Sequence, residues 1–504
     1  MTLSEQRLGQ LGEAVELRLG LRFPRDRWPD LARGVEAAAR ELGIEDIHSF
    51  LGRLLAASTE NHEIQILASH LTVGETYFFR DENHFRILEE QILPPLIRSR
   101  RGTERRLRIW SAACASGEEA YSIAILLTQL IPDLADWNIT VIATDINPRF
   151  LRKASEGVYS DWSFRNAPSW LKQRYFRQNK EGLFELLPHI KKMVAFSYLN
   201  LAEDAYPTLL SNTNATDLIV CRNVLMYLAP ATAQEVIHRF HRSLRDGGWL
   251  LVAASETSHV LFSKFETVEF PGSFFYRKSS DQPGHVGASA NGTVVEDGSF
   301  FPPFEFRFPP EQQSERATSI SHQDLQPLLS ETFEPENANA YKEALALYDE
   351  GRYSDAADKL NLFSSGEGTD TKALSLLARV YANQGMLGEA FACSERAIAD
   401  DKLTPSLYYL RATILHEQNR VDEAVSSLKQ ALYLDPGFVL GHFALGNHAL
   451  IQGRYKHAKK HFDNALQLLV RYPVEEVLPE SEGITAGRLA EIIRSAIAWS
   501  SRNE

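Results

Sequence analysis

The stretch "TVGETYFFRD", Thr72 to Asp81, sets a hydroxyl, a carboxylate and a guanidinium around three consecutive aromatic residues. It reads either as a turn with its rings in the core or as the lid of a pocket for a charged, ring-bearing ligand. A second loop, "SAACASGEEAYS" (Ser111–Ser122), follows an apolar run and opens a helical pattern. A dinucleotide fold carries G-x-G-x-x-G at that place, so that backbone can approach a pyrophosphate. Here only Gly117 is present, followed by Glu118 and Glu119. Two carboxylates at a helix N-terminus suit the helix dipole and repel a pyrophosphate. NAD and ATP are therefore disfavoured, and a ligand with a cationic amino acid end fits better. The next run ends "VIATDIN", where Asp145 can accept both hydroxyls of a ribose or cap the helix starting near Pro148. The run "TDLIVCRNVLMYL" ends in Arg222, Asn223 and Tyr227, polar groups after an apolar core. Together these loops describe a pocket for S-adenosylmethionine.

The elements that must position them are legible in the same region. "LRIWSAA", "NITVIATDI", "MVAFSYLNL", "TDLIVCRNV" and "WLLVAASE" read as strands, with amphipathic helices such as "ATAQEVIHRFHRSLR" between them. Strand–helix alternation implies a mainly parallel, doubly wound sheet over residues 73–278. Residues 1–72 read as a domain of short helices. Residues 279–336, rich in Gly, Ser, Pro and Gln, read as a flexible linker.

Residues 337–504 repeat. Gly351, Gly385, Asn419 and Gly453 stand 34 residues apart, and Ala356, Ala390, Ala424 and Ala458 follow in register. This period is the tetratricopeptide signature. The Gly or Asn suits a helix–helix turn with positive φ, and the alanines suit close helix approach. "ITAGRLAEIIRSAIAW" reads as the capping helix of the stack.

At 504 residues the chain needs several cores, and its net charge of −13 speaks against a nucleic-acid partner. Three scattered cysteines, Cys114, Cys221 and Cys393, fit free thiols in a reducing compartment. No apolar run reaches the ~20 residues of a membrane span, so direct membrane insertion is not expected. A cytoplasmic protein is expected. No histidine or cysteine set has metal-ligand spacing.

The motifs "TVGETYFFRD", "IWSAACASGEEAYSIA", "IATDIN", "FSYLNL", "IVCRNVLMYL" and "RSLRDGGWLLVAASE" resemble those of the CheR-type chemoreceptor glutamate methyltransferases, over roughly residues 10–278. The resemblance implies an α/β Rossmann-like S-adenosylmethionine methyltransferase behind an N-terminal helical domain. An all-α tetratricopeptide solenoid is fused at its C-terminus. It implies transfer of the cofactor's methyl group to glutamates on the cytoplasmic domain of a chemoreceptor-like protein. The products are γ-glutamyl methyl esters and S-adenosylhomocysteine. It assigns cofactor contacts to Gly74, Thr76, Arg80, Glu118, Glu119, Asp145, Asn200, Leu201, Asn223 and Val224, and places Arg80 and Tyr227 at the chemistry. Gly74 departs from the family, which carries an Asn there. The resemblance also implies a small antiparallel insert, expected near residues 174–198. Its loop "RQNKEGLFEL" is shorter than in the forms that bind a C-terminal receptor pentapeptide, so that tether is not expected here. The repeats are expected to hold a protein or peptide partner, or to dock on the methyltransferase domain. A methyltransferase for another protein or a small molecule, and a repeat scaffold with a weakly active cofactor-sensing domain, are the alternatives.

Overall fold

The computed structural model describes residues 4–44, 46–55, 61–102, 104–208, 212–279, 336–363, 371–481 and 483–500. The segment read as a linker thus falls almost wholly outside the described residues. In chain order the described strands are β1 (Arg106–Ala112), β2 (Asn138–Asp145), β3 (Val158–Tyr159), β4 (Phe176–Gln178) and β5 (Phe184–Leu186). They continue as β6 (Val194–Tyr198), β7 (Thr216–Cys221), β8 (Leu244–Val252), β9 (Glu266–Phe270) and β10 (Ser273–Arg277).

The main sheet has the order β6-β2-β1-β7-β8-β10-β9. Its first five strands are parallel, and β1 and β7 are buried along their whole length. That burial fits the unalternated apolar residues Ile109–Trp110 and Leu218–Cys221, while Arg106, Arg108 and Asp217 at the amino-terminal ends are buried in ion pairs. The order reverses between β1 and β7, which places a crevice at their carboxyl ends. Two apolar clusters fill the interior, one including Ile109, Leu127 and Phe78, the other Trp110, Phe240 and Leu250. The antiparallel hairpin β9–β10 at the far edge is an element that strand–helix alternation does not announce.

The insert is a three-stranded antiparallel sheet of order β3-β5-β4. It begins at Val158, earlier than the expected 174, and ends by Leu186. Val194–Tyr198, placed by expectation inside the insert, is strand β6 of the main sheet, paired to β2. The N-terminal helices, Glu5–Leu19, Trp28–Glu41, Ile47–Leu55 and Asn61–Leu71, bury a core of their own that includes Leu11, Leu31, Val35, Phe50 and Leu67.

Four helix pairs run from Glu336 to Leu469, followed by the helix Ala486–Ser500. Gly351, Gly385, Asn419 and Gly453 all have φ between 60° and 77°, the left-handed turn that the repeat demands. The register alanines are buried to 2% exposure or less, so the helices meet across them.

The turns of the repeats dock on the amino-terminal end of the main sheet. Glu417 is buried there. Its Oε2 lies 2.7 Å from Arg106 and 3.4 Å from Arg108, its Oε1 accepts from Asn214 at 3.2 Å, and its carbonyl accepts from Asn138. Burial pushes the Arg108 guanidinium down to about 10, against the pull of Glu417. Gly351 sits so close to Arg242 that a Cβ would fall 2.5 Å from its Cγ. Removing one partner from a buried ion pair strands the other charges in a poor solvent. Glu417→Ala is therefore expected to destabilise the docked form by about 3–5 kcal/mol. The check is urea unfolding: the repeats should melt in a separate, earlier transition, whereas a single unshifted transition would refute the role of this cluster.

Candidate active site

A cavity opens at the carboxyl ends of β1, β2 and β7, on the opposite end of the sheet from Glu417 and the repeat turn that carries it. Its walls include Thr76, Arg80, Glu119, Asp145, Asn200, Leu201, Asn223, Val224 and Tyr227, so nine of the residues singled out above converge on one space.

The loop after β1 is bent by Ala113, Ala115 and Gly117, all with positive φ. For the two alanines this is a strained conformation. At Gly117 a side chain is excluded, because a Cβ would lie 2.8 Å from that of Ala154. The loop carries the Ala115 N–H onto Asp145 Oδ2 at 2.8 Å, while Asn147 N–H donates to Oδ1 at 2.8 Å. Helix capping falls to Asn147, whose side chain accepts from Arg149 and Phe150. Asp145 is thus held by main-chain donors on both oxygens and lines the cavity, where a carboxylate can accept further hydrogen bonds from a diol. Burial pushes the Asp145 carboxyl up to about 6, opposed by these N–H groups.

Glu119 accepts from Ser111 Oγ at 2.7 Å and pairs with Arg222 Nε at 2.8 Å. Arg222 also donates to the Arg80 carbonyl at 2.7 Å, tying the Thr72–Asp81 stretch to β7. Within that stretch Phe78 is fully buried against Tyr159, Phe164 and Phe176, and Phe79 packs on Phe85 and Trp170. Tyr77 instead stacks under Arg165, whose guanidinium is 4.1 Å from the ring centre. Phe79 and Asp81 have φ of 55° and 69°, a kink that turns Arg80 toward the cavity.

Two expected contacts are not on the walls. Glu118 turns away from the cavity: its carboxylate accepts from Ser116 Oγ at 2.7 Å and Ser163 Oγ at 2.9 Å, and it is 1% exposed. It fastens the insert to the first helix. Gly74 is also absent from the walls, because the ring of Phe150 lies where its side chain would go, with a Cβ only 2.4 Å from Cζ. The family's Asn has no space here, and Phe150 supplies that part of the wall.

Other functional residues escaped the sequence reading. Glu256 accepts the N–H groups of Asn223, Val224, Met226 and Ala253 at 2.6–3.3 Å, and so fixes the loop in which Asn223 has φ 59°. An acid just past a strand end was its only signal. Leu21, Arg22 and Phe23 of the N-terminal domain reach the cavity because their backbone pairs with the end of the β7 loop. Arg22 N donates to Tyr227 O at 2.8 Å, and Ala229 N to Gly20 O at 3.0 Å. Arg27 lies over Tyr227, 5.4 Å from the ring centre.

The sheet order and cavity define a Rossmann-like fold with its pocket at the switch point, lined by Glu119 after the first strand and Asp145 at the end of the second. Residues 74–273 match the family model "CheR methyltransferase, SAM binding domain", and residues 405–438 match "Tetratricopeptide repeat". Chemotaxis protein methyltransferase 2 of Vibrio cholerae is 34% identical over 224 residues, 44% of this chain and 76% of that protein. The chemotaxis protein methyltransferase of Borreliella burgdorferi is 30% identical over 51% of this chain and 90% of its own length. The probable biofilm formation methyltransferase WspC of Pseudomonas aeruginosa is 27% identical over 433 residues, 85% of this chain and 90% of that protein. The chain belongs to the chemotaxis protein methyltransferase family, and it is a methyltransferase that uses S-adenosylmethionine.

The cavity fits that cofactor. Asp145 suits the ribose, Glu119 beside Arg222 suits the zwitterionic methionine end, and Leu201, Val224 and Ile146 offer apolar surface to a base. If ribose hydroxyls donate to Asp145, they need it to accept at both oxygens; binding would then favour the ionised form, be full above pH about 6 and weaken as pH falls through that value. Titration of S-adenosylhomocysteine affinity from pH 5 to 8 is expected to show this rise in wild type and a flat, weak profile in Asp145→Asn.

Proposed function

We propose that this protein methylates glutamate side chains on the cytoplasmic domain of a chemoreceptor-like protein, forming γ-glutamyl methyl esters. The observation that supports this reading is Arg80 on the cavity wall. Arg22, Arg27, Arg80 and Arg222 line the cavity beside Glu75, Glu119 and Asp145; Arg222 is paired with Glu119 and Arg27 with Asp30, whereas Arg80 donates to the Glu75 carbonyl with no carboxylate paired to it among the described residues. Such a guanidinium draws in an anionic group. A glutamate is already ionised near neutral pH, so no base has to remove a proton. When bound, the cofactor supplies a methyl group on a sulfonium, already a good leaving group. The chain's own task is alignment and exclusion of water. In this reading Arg80 receives a carboxylate, either the acceptor's or that of the cofactor's methionine end. Tyr227, braced by Arg27, stands beside the transferred methyl. Thr76, Glu119, Asp145, Asn200, Leu201, Asn223 and Val224 hold the cofactor.

The repeats are proposed to bring a protein partner near the site and raise its local concentration. The likeness to the Pseudomonas protein, which spans both halves of the chain, supports a methyltransferase in a circuit of the kind its name describes, biofilm formation. The turn joining β4 and β5 is short, closed by Asn179 and Gly182, which supports recognition of the receptor without a pentapeptide tether.

The test is transfer of labelled methyl to membranes bearing candidate receptors, read as base-labile volatile label. Wild type is expected to label them. Asp145→Ala and Arg80→Ala are expected to lose at least about tenfold, the loss being about 1.4 kcal/mol per factor of ten. Label that resists base, or that survives Arg80→Ala, would refute the carboxylate reading. Receptors truncated at the C-terminus are expected to be labelled at the full rate, and a large loss would refute untethered recognition.

A further inference from the structure

The repeat unit touches the methyltransferase domain at a second place, far from Glu417. Arg488, in the terminal helix Ala486–Ser500, is largely buried. Its Nε lies 3.1 Å from Glu203 Oε2, and its guanidinium lies 4.9 Å from the centre of the Tyr198 ring. Its Nη1 is held by Glu491 Oε2 at 3.0 Å, so its direction is fixed from its own helix.

Both groups it meets are one step from the cavity. The other Glu203 oxygen accepts from Asn200 Nδ2 at 3.2 Å, and Glu203 N donates back to the Asn200 carbonyl at 3.1 Å. Asn200 Nδ2 also donates to the Arg18 carbonyl, at the end of the helix that leads into Leu19, Leu21 and Arg22. Its Oδ1 accepts from Ala202 N at 3.0 Å, so the side chain closes the Asn200–Glu203 turn on itself. Asn200 and Leu201 are cavity walls. Tyr198, the last residue of β6, pairs in register with Asp145, and the next N–H, of Leu199, donates to the Asp145 carbonyl at 3.1 Å.

We propose that Arg488 is a positioning residue for the cofactor site, acting through Glu203 on the Asn200–Leu201 wall. It comes from a part of the chain outside the 74–273 match to the family's catalytic domain. The repeats then do more than recruit a partner: they complete the brace behind the cofactor. Anything that lifts the terminal helix loosens the wall. The inference rests on the assignment of this cavity to S-adenosylmethionine.

Calorimetric binding of S-adenosylhomocysteine to the full chain tests it, with thermal melting recorded on every variant. Arg488→Ala is expected to weaken binding by about fivefold or more, a coupling of ordinary size. It should raise KM for the cofactor while kcat moves less, and Arg488→Lys should restore part of the affinity. Glu203→Gln should cost about as much, and the double variant no more than either single one. Unchanged affinity in folded Arg488→Ala would overturn the proposal, as would additive losses in the double variant. Asp145→Ala is the control: if it binds as wild type does, the cavity assignment itself fails, a result distinct from failure of the brace.

Discussion

The buried pair of Glu119 and Arg222 spans the point where the strand order reverses. Glu119 lies in the first turn of the helix after β1, Arg222 directly follows β7, and the pair joins the two. Arg222 also holds the Arg80 carbonyl, so the stretch before the first strand is fastened to the same joint. A buried ion pair of this kind adds little net stability over an apolar pair, yet losing one member is costly. Its use is positional. It keeps a buried carboxylate and guanidinium side by side in the wall of the cavity.

Around that joint the site is built from acids satisfied by main chain. Asp145 is held by Ala115 and Asn147, and Glu256 by three N–H groups of the loop after β7 and by that of Ala253 in its own turn. Both acids stand just at or past strand ends, and each takes a donor from a neighbouring loop with positive φ, Ala115 for Asp145 and Asn223 for Glu256. The two differ in purpose. Asp145 faces the cavity and bears the cost of burial in a raised carboxyl, whereas Glu256 is turned into its loop and stiffens it.

Much of this was legible in the sequence. The five parallel strands and the 34-residue repeat follow from periodicity, and Asp145, Glu119 and Arg80 stand at strand or helix ends where chemistry collects. What was illegible depended on distant contacts. Nothing in "GEE" tells which glutamate faces the cavity; Ser163, in a segment of the chain far from that loop, draws Glu118 away. Gly74 reads as a loss until Phe150 is seen to fill its place. The N-terminal domain reads as separate helices, and its part in the cavity wall arises from two backbone hydrogen bonds to the β7 loop. Docking of the repeats was left open by the sequence, because Glu417 carries no mark that distinguishes it from the solvated acids around it.

Repeat arrays ordinarily tolerate the gain or loss of a unit, since each one contacts only its neighbours. This array is pinned at both ends. Its first turns rest on Arg242 and Arg245 at the amino-terminal end of the sheet, and its last helix reaches Tyr198 and Glu203 at the carboxyl end of β6. The number of repeats between them is thereby a length, set by the height of the sheet along its edge. A copy inserted or deleted would carry Arg488 past its partner by a whole helix pair. The catalytic domain thus acts as a gauge for the solenoid, and a modular architecture has become one of fixed count.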